Sequence, residues 1–404
     1  MDATMLQRIK ELAKGHEQDM VTFLRDLIAI PSESCQEEGV IQRIKAEMEK
    51  VGFDEVIIDP MGNVLGRVGS GPRIIAMDAH IDTVGVGSLQ EWEFDPYQGK
   101  LENGIIYGRG ASDQTAAMAS MVYAGKAIKE LGLGEEFTVW MVGSVQEEDC
   151  DGLCWQYIIN EVGLKPEMVI ITEPTNLNIY RGHRGRMEIR VTTRGVSCHG
   201  SAPERGVNAV TKMAPIIQGI DALNARLKDD PFLGKGTICV SYIDCATPSL
   251  CAVPDKCEIH LDRRLTAGED KELAVRQVKE ICEEVGVPDA EVWILNYAVP
   301  SYTGLVYPIE KYYPTWVLPE DHAGVTASVE AFRALFGQEP KVDKWTFSTN
   351  GVSVMGLHGI PCVGFGPANE VYAHTVQDQV PVEHLVKAAE FYTLFPVVYC
   401  QTSK

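Results

Sequence analysis

No run of about 18 apolar residues, the length a helix needs to cross a bilayer, occurs in the 404-residue chain. The opening segment, MDATMLQRIKELAKGHEQDMVTFLRDLIAIPS, lacks the unbroken apolar core of a signal peptide and reads as a mixed-charge amphipathic helix. Basic residues are scarce: 36 Lys and Arg stand against 57 Asp and Glu, a net charge of -21. Nucleic acids and anionic membranes call for the opposite surplus, so neither is expected as a partner. None of the 11 cysteines forms C-x-x-C, Cys150 and Cys154 lie four apart, and the total is odd. That argues against a disulfide framework and for reduced, mostly buried thiols. Internal repeats and low-complexity tails are also missing. The expectation is a cytoplasmic globular protein. Its acidic balance also fits site carboxylates neutralised by bound cations.

What is present is ordinary in bulk, with 45% hydrophobic and 23% charged residues. The length exceeds the ~250–300 residues at which single cores divide, so two domains are expected. Residues 5–29 read as one helix ending before Ile30-Pro31, and a second helix covers Glu38 to Val51. Strands DEVIID, NVLGRV and RIIAMDA follow, then a helix from Ala111, the buried strand FTVWMVGSV, a helix and the strand EMVIITEP. This alternation indicates a mixed, mostly parallel sheet flanked by helices. From Arg184 the strands alternate polar and apolar, and the order becomes β-α-β-β-α-β, that of a ferredoxin-like module. The pattern of the first region resumes after Val299–Pro319. The division is therefore 1–183 with 298–404 as one discontinuous domain, and 184–297 as an insertion.

Polar residues stand where apolar strands end. IIAMDAHIDTVGVG sets His80 and Asp82 two apart, on one face if the strand runs through Ile81. The pair reads either as a satisfied histidine with an acidic neighbour or as a metal ligand with a carboxylate behind it. YGRGASDQTAAM places Asp113 at a helix start, as an N-cap or as a ligand. VGSVQEEDCDG ends a strand in Glu147, Glu148 and Asp149, which repel one another unless solvent or cations screen them. One could bind metal while its neighbour stays free as a general base. Glu173 ends IITEPTN, and His374 lies in a polar loop after IPCVGFGP. Active sites gather at the carboxyl ends of strands in such sheets. Two His with several carboxylates suit Zn²⁺, with Co²⁺ or Mn²⁺ as substitutes.

In this order HIDTV, GRGASD, QEED, TEPT, CHGSAPERGVNAV and VPDKCEIHLDRRL resemble the co-catalytic zinc metallopeptidases and deacylases. That family includes acetylornithine deacetylase, succinyl-diaminopimelate desuccinylase and aminoacylases, and the nearest look is to a bacterial branch linked by name to selenium metabolism. The resemblance covers nearly the whole chain. It implies two zinc ions held by His80, Asp113 (bridging), Glu148, Glu173 and His374, with Asp82 orienting His80 and Glu147 as general base. The shared water or hydroxide would attack the amide of a small N-acyl or N-carbamoyl amino acid or a short peptide. The inserted module would be a lid and homodimer interface, with His199 reaching the partner's site to stabilise the oxyanion. Arg264 would pair with a substrate carboxylate. Arg263 points to the other face if the strand continues.

Cys251 stands where the family usually has Asn, which changes the substrate contact there. Arg184 and Thr349 are weaker substrate-contact candidates, with Asn350 beside Thr349. His183, His260, His322, His358 and His384 read as structural or solvated. Two rivals remain: a di- or aminopeptidase of the same family, and a non-catalytic binding protein keeping the fold. Retention of every ligand and of the base speaks against the second.

Overall fold

The computed structural model describes residues 3–403; the end residues 1, 2 and 404 of the expected domain ranges lie outside the described residues. The N-terminal segment forms two helices, α1 (Ala3–Gly15) and α2 (Glu17–Ile28), not one. The break falls at His16, which turns its ring inward to Glu130 at 3.1 Å. The expected single helix over 5–29 is corrected there: the chain turns at His16, although the His16 amide still bonds the Leu12 carbonyl and its carbonyl still accepts from Met20. Helix α3 (Glu38–Lys50) follows and leads into strands β1 (Glu55–Ile58), β2 (Val64–Gly69) and β3 (Arg73–His80).

Helix α4 spans Ala116–Glu130 and is buried on nearly every face, which its Ala and Ser residues permit. The expected helix from Ala111 is corrected: residues Ala111–Thr115 form a distorted turn, with Asp113 and Gln114 extended. Strands β4 (Phe137–Ser144), β5 (Met168–Ile171) and β6 (Ile179–Tyr180) complete the first half, with the short helix α5 (Leu153–Tyr157) between β4 and β5.

The chain then builds a second sheet from β7 (Gly185–Arg194), β8 (Thr237–Ala246), β9 (Lys256–Leu265) and β10 (Glu291–Ile294). Helices α6 (Ala209–Arg226) and α7 (Lys271–Glu284) pack on one face of it. Strand order is β8-β9-β7-β10, all antiparallel, the order of a ferredoxin-like unit. Its apolar residues form a separate core around Met187, Ile216 and Ile259.

Helix α8 (Ala323–Phe336), strands β11 (Val342–Asp343) and β12 (Cys362–Gly364) and helix α9 (Val382–Thr402) return to the first core. The large sheet has the order β1-β2-β4-β3-β5-β12-β6-β11. Its centre, β4-β3-β5-β12, is parallel. Such strands are covered on both faces and read as continuous apolar runs, as they do here. No helix among the described residues is long and apolar enough to cross a membrane. No disulfide joins the cysteines; Cys239, Cys245 and Cys251 are exposed, while six others are buried.

His183 shows how a buried imidazole is satisfied. Its Nδ1 donates to the Arg184 carbonyl at 2.8 Å, and its Nε2 accepts from Trp316 Nε1 at 2.8 Å and from the Thr349 amide at 3.1 Å. Burial pushes its pKa down to about 4. The unfolded chain takes up this proton near pH 6.5, so the stability His183 contributes is present above about pH 6.5 and lost as the pH falls through about 4. The loss is on the order of 3 kcal/mol at the acid end. The His183 ring should therefore stay neutral from pH 8 to about 5 in a carbon-13 histidine NMR titration; a midpoint near 6.5 would contradict the buried hydrogen bonds.

Candidate metal centre

Three side chains reach one spot from the carboxyl ends of adjacent parallel strands: His80 from β3, Glu147 from beyond β4 and Glu173 from beyond β5. His80 is the last residue of β3, and Ile81 already bonds the Ser144 carbonyl. Asp82 lies just past the strand, and the expected alternation through Ile81 is not what brings it to His80. The His80 Nδ1 instead meets the Asp82 carbonyl oxygen at 2.9 Å, with the Asp82 carboxylate at 3.6 Å. That carboxylate accepts from the Glu147 and Glu148 amides at 3.1 and 3.0 Å and from Ser34 at 2.7 Å. One aspartate thus orients the imidazole and holds the turn carrying both glutamates.

Asp113 is not a helix cap. Helix α4 begins at Ala116, and Asp113 is extended within the preceding turn. Gly110, at φ +85°, makes that turn, a conformation glycine enters at little cost. Asp378 fastens it by accepting from the Gly110 and Ser112 amides at 2.8 and 2.7 Å. Glu173 is crowded from behind by Gly366, where an added Cβ would lie 2.2 Å from the Thr172 and Glu173 carbonyls.

Asp113 joins two groups of donors. Its Oδ1 lies 2.8 Å from His80 Nε2, which is also 3.6 Å from Glu173. Its Oδ2 lies 3.3 Å from His374 Nε2, which is 2.9 Å from Glu148. Two further convergent sets are His80 with Glu147 and Glu173, and His80 with Asp113 and Glu148.

Electrostatics say what this cluster requires. Burial first, then neighbouring carboxylates, pushes Glu173 far above the usual carboxylate range. Glu147 is raised likewise, by burial and by Glu173 and Asp151 against the pull of His80. Burial and Asp113 bring Glu148 up to about 7. Asp113 is pulled below its ordinary value by His374 and His80 despite its burial. Burial disfavours a charged His80, but Glu173 and Asp113 outweigh it and raise its pKa; Asp113 and Glu148 raise His374 to about 10. Oxygens of Glu147 and Glu173 are buried without a hydrogen-bond partner. Four carboxylates and two imidazoles fit a pair of divalent cations, which supply the positive charge and use the unpartnered oxygens.

The donors line a cavity of about 310 Å³. Its other walls include Asp151, Arg186, Arg264, Phe347, Ser348 and Glu370. Sequence reasoning found Arg264 and missed Arg186. The two are directly opposite on β9 and β7, and only the strand register discloses that. Arg186 bonds Asp151 at 2.9 Å, and Arg264 bonds Asp262 through two contacts at 2.8 and 3.1 Å. Arg263 points the other way, fully buried against Glu269 at 2.7 Å.

Other candidates lie elsewhere. Arg184 bonds the Lys235 carbonyl at 2.7 Å, and Thr349 belongs to the buried His183 cage. Asn350 bonds Asp78 and Ser144 in the core. His199 and Cys251 are exposed neighbours on the inserted module, where Ala252 bridges His199 and the Gly200 amide bonds the Cys251 carbonyl. Neither lines this cavity.

Comparison with known proteins agrees with this geometry. The model of Peptidase family M20/M25/M40 matches residues 76–396. Uncharacterized protein YgeY of Escherichia coli (strain K12) is 57% identical over 394 residues, covering 98% of each chain. Succinyl-diaminopimelate desuccinylase of Ehrlichia ruminantium (strain Gardel) is 26% identical over 402 residues, 93% of this chain and 97% of its own. Among solved structures, the Bacillus subtilis YXEP protein, a dinuclear metal binding peptidase from the M20 family, superposes with a TM-score of 0.71 at 15% identity, covering 96% and 99%. The chain belongs to the M20/M25/M40 peptidase family and is a metal-dependent hydrolase.

Metal-stripped protein titrated with Zn²⁺ or Co²⁺ should bind about two ions per chain by elemental analysis. Replacing His374 with Ala should leave about one. Binding of no ion by the wild type would contradict the paired-donor geometry.

Proposed function

From that membership we propose a two-metal amidohydrolase that cleaves a small N-acyl or N-carbamoyl amino acid or a short peptide. The observation carrying this reading is Asp113, each of whose oxygens faces a different histidine-carboxylate pair. His80, Asp113 and Glu173 would hold one ion, and His374, Asp113 and Glu148 the other. Zn²⁺ suits the mixed nitrogen and oxygen donors, with Co²⁺ or Mn²⁺ as substitutes. Bound there, the ions would polarise the scissile carbonyl and acidify water.

Glu147 acts as the general base. Its buried oxygen without a partner is available to take a proton from the attacking water and pass it to the leaving nitrogen. Arg264 holds the substrate carboxylate, which takes the place of Asp262 at the guanidinium fork.

The inserted module closes as a lid and pairs with a second copy. Strand β8 is an uncovered sheet edge carrying the exposed Tyr242 and Ile243. His199 and Cys251 are exposed on the same module, outside their own chain's cavity, as residues serving the partner's site would be. In that role the His199 ring donates to the oxyanion. The acidic composition and many unlinked thiols support a cytoplasmic setting.

A screen of chelator-sensitive hydrolysis across dipeptides and acetyl-, succinyl- and carbamoyl-amino acids defines the substrate class. Cleavage of dipeptides alone selects the peptidase reading. On the substrate found, Glu147→Gln should lower kcat by about 10²–10⁴-fold with metal content retained. Full activity in that variant would remove Glu147 from the base role. Mixing the inactive Glu147→Gln and His199→Ala proteins should restore about a quarter of wild-type activity through hybrid dimers. No recovery after subunit exchange would refute the shared site.

A further inference from the structure

The turn that delivers Glu147 and Glu148 is held one amide at a time. Val145 donates to Asn63 Oδ1 at 3.0 Å and Gln146 to Glu37 Oε1 at 3.1 Å. Glu147 and Glu148 donate to the two oxygens of Asp82. Every acceptor is fully buried. At the centre, Gln146 has φ +58°, a left-handed conformation that costs a residue with a side chain and persists where its surroundings fix it.

The Gln146 side chain is fixed as well. Its Nε2 donates to the Tyr297 hydroxyl at 3.0 Å and to Cys35 Sγ at 3.1 Å. The same Glu37 oxygen that accepts from Gln146 accepts from the Cys35 amide at 2.9 Å. Tyr297 lies in the short strand Asn296–Tyr297, directly after β10, and its hydroxyl donates to Asp149 at 3.3 Å. The turn is therefore gripped by Glu37 on one side and, on the other, by the segment through which the chain leaves the inserted module. Neither Glu37 nor Tyr297 lines the cavity.

We propose that Glu37 and Tyr297 are positioning residues for the general base: they hold Gln146 in its left-handed turn, so that Glu147 points at the reacting centre while Glu148 points at the His374 side. The inference rests on the reading of Glu147 as base. Loss of the Glu37 acceptor leaves the Gln146 amide unpaired and lets the turn relax toward ordinary backbone angles. Base catalysis is sensitive to such movement, since a displacement of about 1 Å can lower turnover about 10²-fold. Because Tyr297 also ends the module's exit strand, movement of the module reaches the base through one hydroxyl.

The test compares Glu37→Leu, Glu37→Gln and Tyr297→Phe with wild type in the full-length, zinc-loaded protein. Hydrogen exchange of residues 145–150 is read by mass spectrometry, and kcat and KM on the substrate found by the hydrolysis screen. Glu37→Leu should raise exchange by about tenfold or more in this segment and at Cys35, whose amide shares the acceptor, without change elsewhere. It should lower kcat by about 10–100-fold with KM and metal content unchanged. Glu37→Gln keeps a carbonyl oxygen at the acceptor position and should return to within about threefold of wild type. Unchanged exchange in both Glu37→Leu and Tyr297→Phe overturns the inference. So does a Glu37→Leu protein whose KM and metal content deteriorate together with kcat, which marks general loosening. Should Glu37→Leu fail to fold, Tyr297→Phe removes only a hydroxyl and carries the same comparison. Should wild type hydrolyse nothing in the screen, the functional reading has failed, and the exchange comparison still decides for or against the clamp.

Discussion

Four carboxylates cannot share one buried cleft in the ionised state without positive charge among them. Asp113, Glu147, Glu148 and Glu173 are so placed, with His80 and His374 in their midst and the guanidinium groups of Arg186 and Arg264 on the cavity wall, Arg186 bonded to Asp151 and Arg264 to Asp262. In the metal-free protein the imbalance is met by protons: the imidazoles hold theirs more tightly, and Glu147, Glu148 and Glu173 are drawn toward the neutral form. Two divalent cations bring as many positive charges as the four carboxylates bring negative ones. Metal binding and proton release are therefore linked, and the cluster is poised for cations in a way a solvated acidic loop is not.

The fold meets this demand by aiming the ends of adjacent parallel strands at one point and bracing them from behind. Three of the donor-bearing segments depart from regular structure where they supply a donor: Asp113 is extended before α4, Gln146 is left-handed before Glu147, and His374 has φ +59°. The first two departures are tied down by buried side chains from distant parts of the chain. Asp378 holds the Asp113 turn, and Asp82, Glu37 and Asn63 hold the glutamate turn. A non-glycine residue in such a conformation costs on the order of 1–2 kcal/mol, which these hydrogen bonds offset.

The central strands were legible because parallel strands buried on both faces read as apolar runs, and His80, Glu147 and Glu173 stood out because each follows such a run. The inserted module was legible because its strands alternate. What stayed hidden depends on distance in space. Arg186 joins the cavity only because β7 pairs with β9 in the register that sets it opposite Arg264. Glu37 and Asn63 bond backbone amides, which leave no trace in a sequence pattern. Of the weaker substrate-contact candidates, Thr349 bonds the buried His183 and Arg184 bonds the Lys235 carbonyl, partners that only the folded chain brings to them. The break at His16 was missed because propensity runs through that point, and packing decides it.

The central claim is that Asp113 is shared between two cation sites. Anomalous scattering from crystals of the zinc-loaded protein, recorded on both sides of the zinc edge, tests it most directly. The account predicts two peaks about 3.5–4 Å apart, one beside His80 and Glu173 and one beside Glu148 and His374, with Asp113 between them. A single peak enclosed by His80, Glu147 and Glu173 would contradict it, for Glu147 would then be a ligand and no base would remain at the centre.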